Sequence, residues 1–236
     1  MELLFASVMA QTTDAMNVTL EGEPKEMTLS VWELIMKSGL GGQIIIFALF
    51  LLSVVAVYIF FERFMTIRKA SKEDLNFMNN IKDYIHDSKL DAARALCKNA
   101  NTPIARLIDK GVSRIGRPLN DISTAIENEG KLETYLLEKN LATLATISGA
   151  APMIGFLGTV IGMVVAFHKM ASAGGQIDVE MLSTGIYTAM TTTVAGLIVG
   201  ILAYMAYNIL VSNVEKVVYK MEAKTTEFLD LLQEPA

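Results

Sequence analysis

The chain has 236 residues, 52% of them hydrophobic, with a formal net charge of −5 and a single cysteine, Cys97. Its mean hydropathy of +0.41 excludes an ordinary soluble domain and points to a membrane protein. With one cysteine an internal disulfide is excluded, and Cys97 reads as a small apolar residue on a helix.

Residues 3–10 are too short an apolar run for a secretory signal and lack a basic flank, and the acidic, Thr-rich stretch 11–25 reads as a disordered external tail, so 1–28 is assigned as tail. Residues 29–38 place Leu29, Trp32, Ile35 and Met36 on one helical face. Either an interfacial helix with Trp32 at headgroup depth or an extra turn before the first span fits.

Three windows meet the length of roughly 20 apolar residues needed to cross a bilayer, at 40–61, 141–167 and 182–211. The first span, within 39–62, is bulky all round and should face lipid over much of its surface. Of the Lys and Arg residues, most fall between the first and second spans or after the third; only Lys25 and Lys37 precede the first span, and only Lys169 lies in the loop at 169–181. The positive-inside rule then puts 63–140 and the C-terminus in the cytoplasm and the N-terminus and the short loop at 168–181 outside, with Arg63, Arg68 and Lys69 as membrane-edge anchors.

The segment 63–121 reads as helices at about 71–86, 88–99 and 103–115, with Ser88 as a cap and Thr102-Pro103 as a cap followed by a first-turn proline. Gly116, Pro118 and Asn120-Asp121 mark a break. From Ile122 the apolar positions recur at helical spacing straight into the second span, predicting one helix over 122–168. The third span likewise continues over 182–233 through Val214, Val217, Val218, Met221, Phe228 and Leu232. These stripes need partners, and a cytoplasmic barrel of several copies would supply them. The fold expected is all-α: an integral membrane protein with three transmembrane helices, two of them extended into a cytoplasmic helical domain.

The second and third spans differ in kind from the first. Gly155, Gly158 and Gly162 in one, and Gly196 and Gly200 in the other, are small residues at intervals that let helix backbones approach closely in lipid. The second span also carries Thr159, and the third Thr184, Thr188, Thr191, Thr192 and Thr193. Single membrane threonines usually bond back to their own helix, which explains five within ten residues less well. Thr191, Thr192 and Thr193 step about 100° each, so at least one faces any inward direction, and Thr159, Thr188, Thr192 and Thr193 are kept as candidates for an ion-pathway lining. Neither span contains Asp, Glu, Lys, Arg or His in its core. A proton pathway needs an ionisable group within the membrane, so a partner would have to bring the carboxylate.

No enzyme, cofactor, metal or nucleic-acid function is expected. There is no Cys/His metal spacing and no nucleophile beside a base, and the glycines of 155–162 lack a phosphate-loop lysine.

The run LATISGAAPMIGFLGTVIGM from Leu144, followed by GIYTAMTTTVAGL from Gly185 and ending near Tyr207-Asn208, closely resembles the ExbB, TolQ and MotA proton-channel family, with the ExbB branch nearest. The resemblance implies a pentamer whose second and third spans surround transmembrane helices of an ExbD-like, single-span partner, with Thr159 and Thr193 facing that partner's membrane aspartate. It further implies a bacterial inner-membrane location and energy transfer through a TonB-like protein to outer-membrane import. TolQ-like envelope maintenance and motility drive are alternative outputs, and a passive pore or scaffold is an alternative of another class. Many members carry a glutamate where this chain has Thr188, so that relay role does not carry over. A proline common in the family is Leu202 here.

Overall fold

The computed structural model describes residues 39–72, 76–172 and 179–233. The expected tail at 1–28, the helix at 29–38 with Trp32, and 173–178 of the external loop lie outside the described residues. Seven helices follow one another among the described residues, with no strand: α1 Gly39–Ala70, α2 Phe77–His86, α3 Leu90–Ala100, α4 Pro103–Val112, α5 Leu119–Glu138, α6 Leu141–Ser172 and α7 Val179–Leu231. Three stretches, Gly41–Ala70, Leu119–Ser172 and Leu182–Leu231, are long and apolar enough to cross a membrane. The chain is a multi-pass membrane protein.

α6 and α7 form a close antiparallel pair, and α1 packs along both. Ile45, Leu49, Ala56 and Ile59 turn inward from α1, whereas Ile44, Phe47, Phe50, Val54, Val57 and Tyr58 are exposed. This is the one-sided burial expected of an outer span whose remaining surface meets lipid. α7 has 53 residues, about 80 Å of helix against a hydrocarbon core of about 30 Å, so it must project well beyond the bilayer.

That projection organises the second half of the molecule. Val214, Val217, Met221 and Phe228 are buried in one continuous core with Ile81, Cys97, Ile108, Ile126 and Leu137 from the cation-rich segment. The apolar stripe that seemed to need other copies is therefore covered largely by helices of its own chain. Phe228 sits on Gly111, where an added Cβ would lie 2.5 Å from its ring. Glycine at this α4 position lets the aromatic ring lie flush against the helix.

Local chemistry explains most of the helix ends. Thr102 is extended and its hydroxyl accepts from the Ala105 amide at 3.3 Å, with Pro103 at the first helical position. Ser88 is not the cap of α3. It lies at φ +56, just after α2, and the residue before Leu90 is Lys89. The helix expected to be continuous over 122–168 is interrupted, because Lys139 is extended and Asn140 takes φ +66, which asparagine tolerates better than most residues. The Asn140 carbonyl then accepts the first bond of α6, from the Leu144 amide at 3.3 Å.

Arg68 and Lys69 are exposed in the last turn of α1, but Arg63 is not an open headgroup anchor. It is 6% exposed, pairs with Glu62, and donates to the Leu136 carbonyl at 3.2 Å. On the same side of the spans, Arg106 forms a two-pronged ion pair with the buried Glu133, at 2.5 and 2.7 Å. The two helices α4 and α5 are thereby held in register.

Candidate functional site: a hydroxyl-bearing seam between two spans

The contact between α6 and α7 is built from two matching ladders of small residues. On α6 they are Ala151, Gly155, Gly158, Gly162 and Ala166; on α7 they are Gly185, Ala189, Thr192, Gly196 and Gly200. The spacing of four, three, four and four residues in each keeps every rung on one helical face.

The rungs meet in antiparallel order. A Cβ on Gly185 would lie 2.5 Å from Ala166 Cβ, and one on Gly162 would lie 3.0 Å from Ala189 Cβ. A Cβ on Gly158 would collide with the Thr192 hydroxyl, one on Gly155 would lie 2.8 Å from the Thr192 carbonyl, and one on Gly196 would lie 2.6 Å from the Ala151 carbonyl. Gly200 lies against the Pro152 ring. Pro152 has no N–H, so the Ser148 carbonyl one turn earlier loses its usual helical donor, and the bare Gly200 backbone lets that region pack closely. In lipid, where apolar area gives helices little reason to associate, this close approach is the main source of attraction.

Into this seam the sequence places hydroxyls. Thr192 is fully buried, and its Oγ1 lies 2.7 Å from the Ala189 carbonyl and 3.2 Å from the Gly155 carbonyl. Thr193, half-buried, donates to the same Gly155 carbonyl at 3.2 Å. Thr159, one turn beyond Gly155 and also half-buried, donates to the Phe156 carbonyl at 2.7 Å. Thr191 bonds back to Tyr187 at 3.0 Å. Thr188 is in α7, but its side chain lies outside the described residues.

Thr159 and Thr193 thus converge on the turn that starts at Gly155, while Thr192 is enclosed between the helices. Thr192, one of the ion-pathway candidates, stands in the seam for a geometric reason. It occupies a ladder rung, where the neighbouring rungs are glycine and alanine. The spacing of Ala151, Ala166 and Ala189 with the glycines carries the same small-residue signal. Each hydroxyl that donates to a carbonyl keeps lone pairs able to accept a further hydrogen bond. The two span cores, 141–167 and 182–214, contain no charged residue and no histidine.

A multi-pass membrane protein with a polar, charge-free seam between two locked spans is the class that fold and site define. The sequence profile of the MotA/TolQ/ExbB proton channel family matches residues 99–223, which include α4, α5, α6 and most of α7. The chain belongs to this family. It is 35% identical over 112 residues to the biopolymer transport protein ExbB of Aquifex aeolicus, covering 46% of this chain and 74% of that one. It is 25% identical over 214 residues to the Tol-Pal system protein TolQ of Pseudomonas aeruginosa, covering 86% and 92% respectively. An ExbB homolog of Methanothermobacter thermautotrophicus is 30% identical over 133 residues, and there the match spans 46% of the relative's length.

Proposed function

We propose that this chain is the channel-forming subunit of an inner-membrane motor driven by proton-motive force. In this reading several copies, five by resemblance to the family, surround helices of an ExbD-like single-span protein. That partner's membrane aspartate takes up and releases the proton against Thr159 and Thr193. The N-terminus is periplasmic and the cation-rich helices are cytoplasmic, as the distribution of Lys and Arg favours.

The observation that carries the reading is the combination at the Gly155 turn: hydroxyls gathered in two charge-free spans that lack any titratable carrier. With their hydrogens on backbone carbonyls, Thr159 and Thr193 present oxygen lone pairs, which suit a protonated carboxyl group as donor. Moving one charge through the membrane potential supplies roughly 2.3 kcal/mol per 100 mV, enough to bias a conformational step. The output favoured is energising a TonB-like protein for outer-membrane import. The similarity to a TolQ over most of both chains keeps envelope maintenance as a second output.

A passive scaffold is favoured by one specific observation, that every hydroxyl described at the seam bonds to a backbone carbonyl. Thr159→Val and Thr193→Val separate the two readings, since valine keeps shape and insertion while removing the hydroxyl. Loss of energy-dependent uptake with normal membrane levels supports the motor. Unchanged uptake in both variants overturns the assigned role of the threonines. Stable co-purification with a single-span, aspartate-bearing protein is expected as well.

A further inference from the structure

Thr192 has two carbonyls within hydrogen-bond distance, Ala189 on its own helix at 2.7 Å and Gly155 across the seam at 3.2 Å. A threonine hydroxyl carries one hydrogen, so it serves one of them at a time. Thr193 reaches the same Gly155 carbonyl, also at 3.2 Å. Two arrangements therefore keep α6 tied to α7 through a hydroxyl. In the first, Thr193 donates to Gly155 and Thr192 to Ala189; in the second, Thr192 donates to Gly155 and Thr193 is released.

Passing between them requires only rotation of hydroxyl hydrogens. Thr192 has no exposed surface and its hydroxyl is held over Gly158, so its heavy atoms stay in place. Thr193 is half-buried and can meet a guest group, which Thr192 cannot.

Building on the proton-carrier reading above, we propose that Thr192 is a positioning residue, a stand-in donor that frees the Thr193 hydroxyl to serve both protonation states of the partner's carboxyl group. A protonated carboxyl donates its O–H to Thr193 Oγ1 while Thr193 keeps its own hydrogen on Gly155. A carboxylate is an acceptor only, and it takes the Thr193 hydrogen as Thr192 swings from Ala189 to Gly155. The threonines carry no net proton in either state, and the seam keeps its cross-helix bond in both.

Few other groups compete electrostatically. Within the spans that pack together, α6 contributes no titratable side chain over 141–167, α7 contributes Tyr187, Tyr204 and Tyr207 over 182–214, and α1 contributes Tyr58 over 39–61. Removing the stand-in penalises the carboxylate form alone, so the partner's carboxyl should hold its proton to higher pH.

The test is the pH profile of proton flux, followed with a pH-sensitive dye in vesicles holding the full chain and its aspartate-bearing partner. Thr192→Val and Thr192→Ala should assemble normally, because Thr193 can still donate to Gly155, and should shift the profile upward by about half to one pH unit. Thr192→Ser should superimpose on the parent chain. The stand-in role is overturned if the Val and Ala profiles coincide with the parent while Thr193→Val abolishes flux, which leaves the carrier reading intact. It is also overturned if Ser shifts as far as Val, or if both Val and Ala variants fail to accumulate in the membrane. Parent-like flux in Thr193→Val overturns the carrier reading itself, and the stand-in role with it.

Discussion

Arg63 Nη1 donates to the backbone carbonyl of Leu136 at 3.2 Å, joining the membrane-edge end of α1 to the last turn of α5. Carbonyls of a final helical turn have no intrahelical donor, and a cation there also faces the negative end of the helix dipole. Glu62 pairs with the same guanidinium, and Lys139 and Asn140 stand close to that carboxylate, so the group lies at the break between α5 and α6. Arg63→Met keeps the apolar stem but removes the donor. It should lower stability by about 1–2 kcal/mol, read as a lower Tm in detergent. Arg68→Met and Lys69→Met, at exposed positions, should stay within about 0.5 kcal/mol.

The small-residue ladder predicts a sharp contrast among glycines. Gly196→Ala would put a methyl 2.6 Å from the Ala151 carbonyl and 2.8 Å from Gly155 Cα, both backbone atoms that cannot swing aside. The α6–α7 pair should separate, lowering Tm by an amount equivalent to about 1–3 kcal/mol of overpacking and reducing flux. Gly130→Ala in α5 meets only the Leu107 side chain, at 3.8 Å. It should instead stabilise the chain by about 0.5–1 kcal/mol, because alanine is the better helix former.

The Arg106–Glu133 pair gives a charge-based prediction. Glu133 has a side chain only 4% exposed, whereas Arg106 remains 40% exposed. Arg106→Met strands a buried carboxylate, which should cost about 2–3 kcal/mol. That is less than for a pair enclosed on both sides, because solvent still screens the arginine. Glu133→Gln should cost less, since the amide oxygen still accepts from the guanidinium. The double variant Arg106→Met/Glu133→Met should recover part of the loss. Chemical denaturation of the four chains checks the order.

Much of this architecture is legible in the residues alone. Charge-free windows of sufficient length announce the three spans because the bilayer penalises every buried charge, and the Thr102-Pro103 cap follows from local chemistry. Other features are long-range. The break at Asn140 is masked in the sequence, because the apolar period runs through Leu137, Leu141 and Leu144, all buried on both sides of the interruption, and a lone asparagine is a weak stop signal beside it. Val217, Met221 and Phe228 share one core with Ile108 and Cys97, more than one hundred residues earlier in the chain, and periodicity shows only that some partner is needed. At the seam the threonines were visible as a group, but which of three consecutive residues points inward depends on helix rotation. Adjacent residues differ by about 100° around the axis, and the glycines of the other span select Thr192 for the enclosed rung.

Cys97 supplies a prediction with a definite sign. It is buried in the core shared by α3, α4 and α7, and burial, with repulsion from Asp109 adding to it, pushes its thiol up to about 12 from an ordinary value of 9.0. Well below pH 9 the thiol is neutral in both folded and unfolded chains and contributes no pH dependence. Between about 9 and 12 the unfolded chain gives up this proton while the folded chain retains it, so folding stability falls as pH rises through that window. Cys97→Ala should remove this one contribution, visible as a shallower fall in Tm on the alkaline side than the parent chain shows. At neutral pH the same burial should protect the thiol from a maleimide reagent by about a hundredfold or more relative to the denatured chain. Rapid labelling of the folded chain, or identical alkaline slopes in parent and Cys97→Ala, would show that the core around α3 opens far more readily than its packing implies.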